Sequence, residues 1–300
     1  MATRPRLQGP FRRFGVVYRD HTPEVLAIVD RLRVWCDAEG IEVAVEENAG
    51  RDPHGQLDVA SEPPDLVIAL GGDGTFLRAS RLVVGTTTPV LGVNLGRLGF
   101  LTAIPESDLE VGLAELVAGR AVIEHRFRLR AVIQSHAGAS SDDFFALNDI
   151  VVHTSGAARV TPLTLQVGGA DHLEEVGSFG ADGVIVSTPT GSTAYSMSAG
   201  GPIIVPSVEA IVVTPICPHS LAVRPLVLPS TETISVGSLE PAGEHQVTVD
   251  GQVVHHLGPG DRVMVDRESD PLALVRLPGQ TFFNTLRRKL NWAVRSPDRA

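Results

Sequence analysis

Up to about residue 122, the apolar positions of the chain switch between two periods. Residues 14–19 (FGVVYR) make a short apolar run, the pattern of a strand. Residues 23–39 carry apolar side chains at Val25, Leu26, Ile28, Val29, Leu32, Val34 and Trp35, a helical spacing. Pro23 suits a first helical turn, and Gly40 is placed to end the helix. Residues 41–46 alternate as a strand, and residues 65–70 (DLVIAL) form the continuous apolar run of a strand buried on both faces. Helical spacing follows over 76–84, another buried strand over 89–93, and an amphipathic helix over 108–118. Residues 48–64 are polar and rich in Pro, Gly and Asp, which predicts a surface loop. Such alternation predicts a parallel sheet with helices on its faces.

Beyond residue 122 the texture changes to short β-rich runs at 126–134, 144–153, 163–167, 184–187, 232–236, 246–254, 261–265 and 272–277. Asp250-Gly251, set between two apolar stretches, signals a tight hairpin. Helical spacing returns over 282–292. The predicted fold class is α/β plus all-β. An N-terminal Rossmann-like parallel α/β domain spans 12–122, a β-sandwich spans 123–280, and a C-terminal helix packs back so that 281–294 completes the first domain.

Composition narrows the function. A chain of 300 residues that is 43% hydrophobic can bury two modest cores. Residues 1–14 are basic but lack the apolar run of a signal peptide, and no stretch of about 18 apolar residues predicts a membrane span. Cys36 and Cys217 stand far apart, without metal-ligand spacing, as expected in a reducing cytoplasm. The net charge of −10 argues against a nucleic-acid partner. Against 24 arginines there is one lysine, Lys289. A phosphate-cradling lysine belongs in the body of the fold, and none is found there. Phosphate handling would therefore fall to backbone amides, arginine and metal.

Candidate chemistry centres on Gly71-Gly72-Asp73-Gly74-Thr75, between a predicted buried strand and a helix. Ligands of open α/β sheets bind at the carboxyl ends of strands, and glycines with a helix N-terminus suit phosphate. An aspartate there repels an anion, so it reads as a proton acceptor or a partner of Mg²⁺, or else as a helix cap. Asn148-Asp149, in ALNDIVVH, offers an amide and a carboxylate side by side, groups that can read a ribose and an adenine edge. From Asp182 to Pro202 the chain is rich in glycine and hydroxyls, with a strand ending at Pro189 and a short helix opened by Ser and Thr. Tyr195 within it can stack on a base.

GGDGT resembles the motif shared by NAD kinases, diacylglycerol-type lipid kinases and, more loosely, phosphofructokinases. The Asn148-Asp149 pair and the Asp182–Pro202 stretch are similar to NAD kinases alone, as is Asn94–Leu101. The likeness runs over about residues 65 to 292. It implies a phosphotransferase acting on an alcohol group, moving phosphoryl from ATP or polyphosphate to the 2′-hydroxyl of NAD with Mg²⁺, in a homo-dimer or homo-tetramer. It implies Asp73 as the base, with Gly72 and Gly74 beside the ligand and Arg78 on phosphate. Phe100 would lie near the nicotinamide ribose. Asn148, Asp149, Arg159, Asp182, Thr193, Ala194, Tyr195, Ser196, Met197, Ser198 and Gln252 would contact nucleotide. Gly180 replaces a bulky basic residue of some members, which bears on the choice between NAD and NADH. A lipid kinase of the same superfamily and a non-catalytic NAD sensor are the rival readings. A dehydrogenase is weaker, since no G-x-G-x-x-G follows a strand in the first domain.

Overall fold

The computed structural model describes residues 4–18, 21–46, 57, 59, 61–96, 99–136, 138, 140–141, 143–154, 161–169, 172–238 and 245–292. Arg159, Arg97, Leu98 and most of the loop expected over 48–64 lie outside them. The chain divides into one unit of residues 1–125 with 272–300, and a second of residues 126–271.

In the first unit, a sheet runs in the order Glu42–Val45, Arg13–Tyr18, Leu66–Gly71, Val90–Asn94, Leu272–Arg276 and Val122–Arg126, with Ile104–Pro105 also against Val90–Asn94. Strands 13–18, 42–45, 66–71, 90–94 and 272–276 pair in parallel. Helices Pro23–Ala38 and Leu109–Val117 bury Ile28, Leu32, Leu113 and Leu116 with Phe14, Leu66, Ile68 and Leu91 of the sheet. The first helix starts where the sequence says it should. Thr22 Oγ1 accepts from Val25 N at 3.4 Å, Pro23 needs no partner for a missing N–H, and Gly40 beyond the end takes φ 71°.

Two expectations are corrected. Residues 272–277 were read with the β-rich half, but Leu272–Arg276 is a strand of the first sheet, its Leu274 opposite Val90. A five-residue apolar run specifies a buried strand without naming the sheet that receives it. The helix expected from residue 76 begins at Asp73, with Gly72 as its N-cap. Glycine and aspartate disfavour helix interiors but suit this first turn.

The second unit is a sandwich of two six-stranded sheets. One orders His172–Ala181, Thr161–Gly169, Thr233–Ser238, Arg262–Arg267, Leu129–Gln134 and Phe144–Ala146. The other orders Leu226–Pro229, Ala210–Ile216, Gly183–Ser187, Asp149–Thr154, His245–Val249 and Val253–Leu257. All pairings within them are antiparallel. Alternate residues of both meet in one core: Leu129, Leu163, Val236 and Val265 from the first, Ile150, Val184, Val213 and Val247 from the second. The strand His172–Ala181 escaped the sequence pattern because HLEEVGSF carries charge where a core strand would alternate. Asp250-Gly251 makes the expected hairpin: φ is 49° and 63°, Gln252 N donates to the Val249 carbonyl at 3.0 Å, and three residues separate the paired Val249 and Val253.

Candidate functional site

In the first unit, the strand Leu66–Gly71 passes through Gly72 straight into the helix Asp73–Leu82. Asp73 is its first residue, and the positive end of the helix dipole favours a carboxylate there. A Cβ on Gly71 would collide with the Thr75 hydroxyl, so the turn closes only with glycine. Gly72 and Gly74 are exposed, flanking a half-exposed Asp73. The Asp73 carboxylate is held by the loop after Val90–Asn94: Phe100 N donates to Oδ2 and Leu101 N to Oδ1, both at 3.0 Å. Gly99 lies so close that a Cβ there would overlap the same carboxylate.

The lysine reading is corrected here. Lys289, on the C-terminal helix Phe282–Leu290, places Nζ 3.4 Å from Asp73 Oδ2 and 4.7 Å from the centre of the Phe100 ring. The one lysine of the chain therefore stands at the candidate base, brought there from 216 residues away in sequence. Linear position hid it, because the helix that carries it is added after the second unit. Arg78, expected on phosphate, donates from Nη2 to Glu46 Oε1 at 2.6 Å, and Glu46 is 5% exposed. That guanidinium holds a buried carboxylate. Phe100 is buried, its carbonyl accepts from Arg276 Nη2 at 3.0 Å, and its ring lies beside Phe282.

In the second unit, the structure brings together Asn148, Asp149, the start of the long motif and Asp250. Thr188 N donates to the Asn148 carbonyl at 2.9 Å, and Thr188 Oγ1 donates to the Leu147 carbonyl at 2.6 Å. Gly191 packs so tightly that a Cβ would meet the Asn148 carbonyl. The Asp250 carboxylate accepts three backbone N–H groups, from Leu147 at 3.0 Å, Asn148 at 2.7 Å and Asp149 at 3.2 Å. Sequence reasoning saw Asp250 as a turn residue only. The available signal was aspartate at a turn position that asparagine fills equally well.

This grip leaves the two side chains of the pair presented. The Asn148 amide is half-buried and makes no hydrogen bond among the described residues. The Asp149 carboxyl is likewise unpartnered among them and only 5% exposed. Burial first, and the Asp250 charge second, push Asp149 up to about 7. A buried carboxyl poised at neutrality without a partner is a strong ligand-site signal.

The hydroxyls of the long motif mostly serve the fold. Ser192 Oγ donates to the Pro189 carbonyl at 2.7 Å and accepts from Ile204 N at 2.9 Å; Ser196 Oγ pairs with Thr214 Oγ1 at 2.9 Å. Thr193 Oγ1 bonds the Thr190 carbonyl. Ser196, expected on nucleotide, is fully buried, so the expectation of a displayed hydroxyl there is corrected. Ala194 and Met197 are half-buried, while Tyr195 and Ser198 are exposed, with the Tyr195 side chain 46% accessible. Arg126, missed in the sequence, is buried and donates to Thr190 Oγ1 at 3.2 Å. Asp182 is not gathered with Asn148. It precedes the far end of Gly183–Ser187, where Gly183 faces His153 and Ser187 faces Asp149, so about 20 Å of strand separates Asp182 from Thr188. Gly180 lies near Asp182, its carbonyl accepting from His219 N. Gln252 is exposed on the hairpin.

Residues 14–121 match the family description ATP-NAD kinase N-terminal domain, and residues 147–277 match ATP-NAD kinase C-terminal domain. The chain belongs to the NAD kinase family. A NAD kinase of Gemmatimonas aurantiaca is 43% identical over 281 residues, covering 93% of this chain and 96% of that one. One of Heliobacterium modesticaldum is 40% identical over 280 residues, covering 92% and 97%. Among solved structures, yeast NADH kinase complexed with NADH superposes with a TM-score of 0.84 at 27% identity, covering 96% of this chain and 89% of that one. An Archaeoglobus fulgidus NAD kinase in complex with ATP gives 0.74 at 27% identity, covering 93% and 98%. The NAD kinase fold thus extends across both units. No helix among the described residues is long and apolar enough to cross a membrane.

Proposed function

We propose that this chain transfers the terminal phosphoryl group of ATP or polyphosphate to the 2′-hydroxyl of the adenosine ribose of NAD, giving NADP. The observation that carries the reading is the Asp73 carboxylate, fixed by Phe100 N and Leu101 N at the carboxyl end of a parallel strand and flanked by exposed glycines. As the 2′-oxygen attacks the terminal phosphorus, Asp73 takes its proton. The bond from that phosphorus to the bridging oxygen breaks, and its electron pair leaves on the shortened phosphate chain. Phosphoryl transfer depends mostly on alignment and electrostatics, so a base supplies about 10²–10⁴-fold. Asn148 and Asp149 offer an amide and a carboxylate to the adenosine, and Tyr195 a ring for stacking. Thr193, Ala194, Met197, Ser198, Asp182, Gln252 and Arg159 are proposed as further nucleotide contacts.

Among the described residues no cluster of three His, Cys, Asp or Glu side chains could hold a metal. Mg²⁺ characteristically keeps waters and binds largely through substrate phosphates, so the donor's own oxygens would hold most of its coordination without a protein cage, leaving Asp73 free to act as the base. When bound, Mg²⁺ would neutralise charge on the phosphates. Both cysteines are free, Cys36 buried and Cys217 exposed, which suits the cytoplasm. Exposed Val176, Leu221 and Val227 on the second unit suit a homo-oligomer.

The test is an assay for NADP formation with ATP or polyphosphate against NAD or NADH, in the presence of Mg²⁺. Product with NAD and at least one donor is expected. Absence of 2′-phosphorylated product with every pairing would overturn the reading.

A further inference from the structure

Within the second unit, Ser187 Oγ is the one buried hydroxyl that has no hydrogen-bond partner among the described residues. Ser187 ends the strand Gly183–Ser187 and is fully buried. A buried donor without an acceptor costs stability, and such a group in a folded chain calls for an explanation. The hydroxyls near it in sequence are committed elsewhere: Thr188 Oγ1 to the Leu147 carbonyl, Ser192 Oγ to the Pro189 carbonyl, and Ser196 Oγ to Thr214 Oγ1.

The strand register supplies an acceptor. Ser187 lies directly opposite Asp149, whose carboxyl is also unpartnered among the described residues. Thr188 N bonds the Asn148 carbonyl at 2.9 Å and Thr154 N the Asp182 carbonyl at 3.2 Å, so the pairs 148–188 and 154–182 are hydrogen-bonded ones. Bonded and open pairs alternate along an antiparallel ladder, which makes Asp149–Ser187 an open pair, the kind whose side chains stand closer. Their Cβ atoms are then about 5 Å apart, and rotation about χ1 alone brings a serine hydroxyl onto an aspartate oxygen. Both residues belong to the face of Val151 and Ile185, onto which Ala199 packs, and not to the sandwich core of Ile150 and Val186. The outer neighbours favour the same pairing. Val212, opposite Ser187 on its other side, has an apolar side chain. On the far side of Asp149, Asp250 N bonds the Asp149 carbonyl, and the Asp250 carboxylate repels a second negative charge.

We propose that Ser187 is a positioning residue, whose hydroxyl donates to the Asp149 carboxylate and so favours the charged acceptor that Asp149 offers to the adenosine. A protonated Asp149 has no need of this donor, whereas its buried anion does. Asp250 is the charged group beside it. His153 lies four residues along the same strand face, and the strands Gly183–Ser187 and Ala210–Ile216 carry no charged side chain. The covering segment 189–201 contributes exposed Tyr195 as its titratable group, and Arg126 reaches Thr190 Oγ1.

The inference rests on the kinase reading for what Asp149 contacts, and the two can fail separately. Full-length Ser187→Ala removes one hydroxyl and strands no charge, so it is compared with wild type by NAD calorimetry from pH 6 to 9. The NAD Kd is expected to rise about fivefold or more at pH 6, where Asp149 must ionise to bind, and to come within about twofold at pH 9. The midpoint of the profile moves up by about one pH unit, while the KM for the phosphoryl donor stays within about twofold. In an Asp149→Asn background the same substitution should change the NAD Kd equally at both pH values. A packing role alone gives one fold-change at every pH, and that result overturns the proposal, as does an unchanged Kd throughout. Urea denaturation without NAD gives a second measure: between pH 6 and 9 Ser187→Ala should lose at least about twice the stability that wild type loses, and equal losses overturn the hydrogen bond. A wild-type chain that forms no NADP, with the steeper loss still seen in Ser187→Ala, keeps the hydrogen bond and removes the kinase reading. NADP formation by both proteins with identical pH profiles does the reverse.

Discussion

Gly99 packs against Asp73 so closely that any Cβ at position 99 would occupy the space of the carboxylate. The next two residues supply the N–H groups that hold that carboxylate, at 3.0 Å each. The loop thus sets the position of the Asp73 carboxylate by contact and by hydrogen bonding. Gly99→Ala is expected to displace Asp73 and lower kcat by about 10²-fold or more, with NAD binding preserved. Steady-state kinetics with NAD titration checks this; wild-type kcat in the alanine variant would show that the loop does not position the base.

Asp73→Asn keeps the size but only one of the two oxygens that accept from Phe100 N and Leu101 N, and it cannot take a proton at neutral pH. NADP formation should nearly vanish while NAD still binds. Retention of more than about half of wild-type turnover would reassign the proton to another group. The same variant also leaves Lys289 without its carboxylate partner, so its thermal melt should be recorded alongside.

Arg78 offers a way to separate a structural role from a phosphate role. Its guanidinium pairs with Glu46, a carboxylate only 5% exposed. Removing one partner of a buried pair costs about 3–5 kcal/mol, because the other charge is stranded. Arg78→Ala should therefore lower the denaturant midpoint by a corresponding amount. A variant of unchanged stability with a raised donor KM would return Arg78 to the phosphates.

The sheet and the sandwich were legible because buried strands such as 65–70 and 184–187 announce themselves as apolar runs, and because GGDGT lies in a local strand-turn-helix context. What stayed hidden depends on chain return. Nothing near residue 289 says that Lys289 meets Asp73, and nothing in LALVR says that it joins the first sheet. The hydroxyl-rich motif misled in another way. Ser196 and Ser192 look displayed in sequence, but a hydroxyl buried next to backbone carbonyls is drawn into the fold's own bonds. Asp250 was readable as a turn and unreadable as the residue that shapes the Asn148-Asp149 segment.

Asp250→Ala removes the acceptor for the N–H groups of Leu147, Asn148 and Asp149 and leaves them without that partner. A loss of about 3–5 kcal/mol in stability is expected, together with a higher KM for NAD, because the segment presenting Asn148 and Asp149 loosens. Asp250→Asn keeps one carbonyl oxygen and tolerates the φ of 49°, so it should retain much of the stability. Chemical denaturation of both variants decides the matter: equal, wild-type stability would mean that the hydrogen bonds are incidental.

Asp149 makes the fold and its ligand pH-dependent with a definite sign. Its folded value of about 7 lies above the ordinary 3.8, raised by burial and then by Asp250. Between about pH 4 and 7 the native state holds a proton that the unfolded chain has released. Stability from this group is therefore fully present below about pH 4 and is lost as pH rises through 7, by on the order of 4 kcal/mol. Asp149→Asn should flatten that slope and be the more stable protein at pH 8. Binding runs the other way: if the carboxylate accepts from a ribose hydroxyl or an adenine amino group, NAD affinity rises from pH 6 to 8, with proton release at the lower end. Calorimetry in buffers of different ionisation enthalpy reads that proton directly. In Asp149→Asn both the proton release and the pH slope should disappear; their persistence would place the titrating group elsewhere.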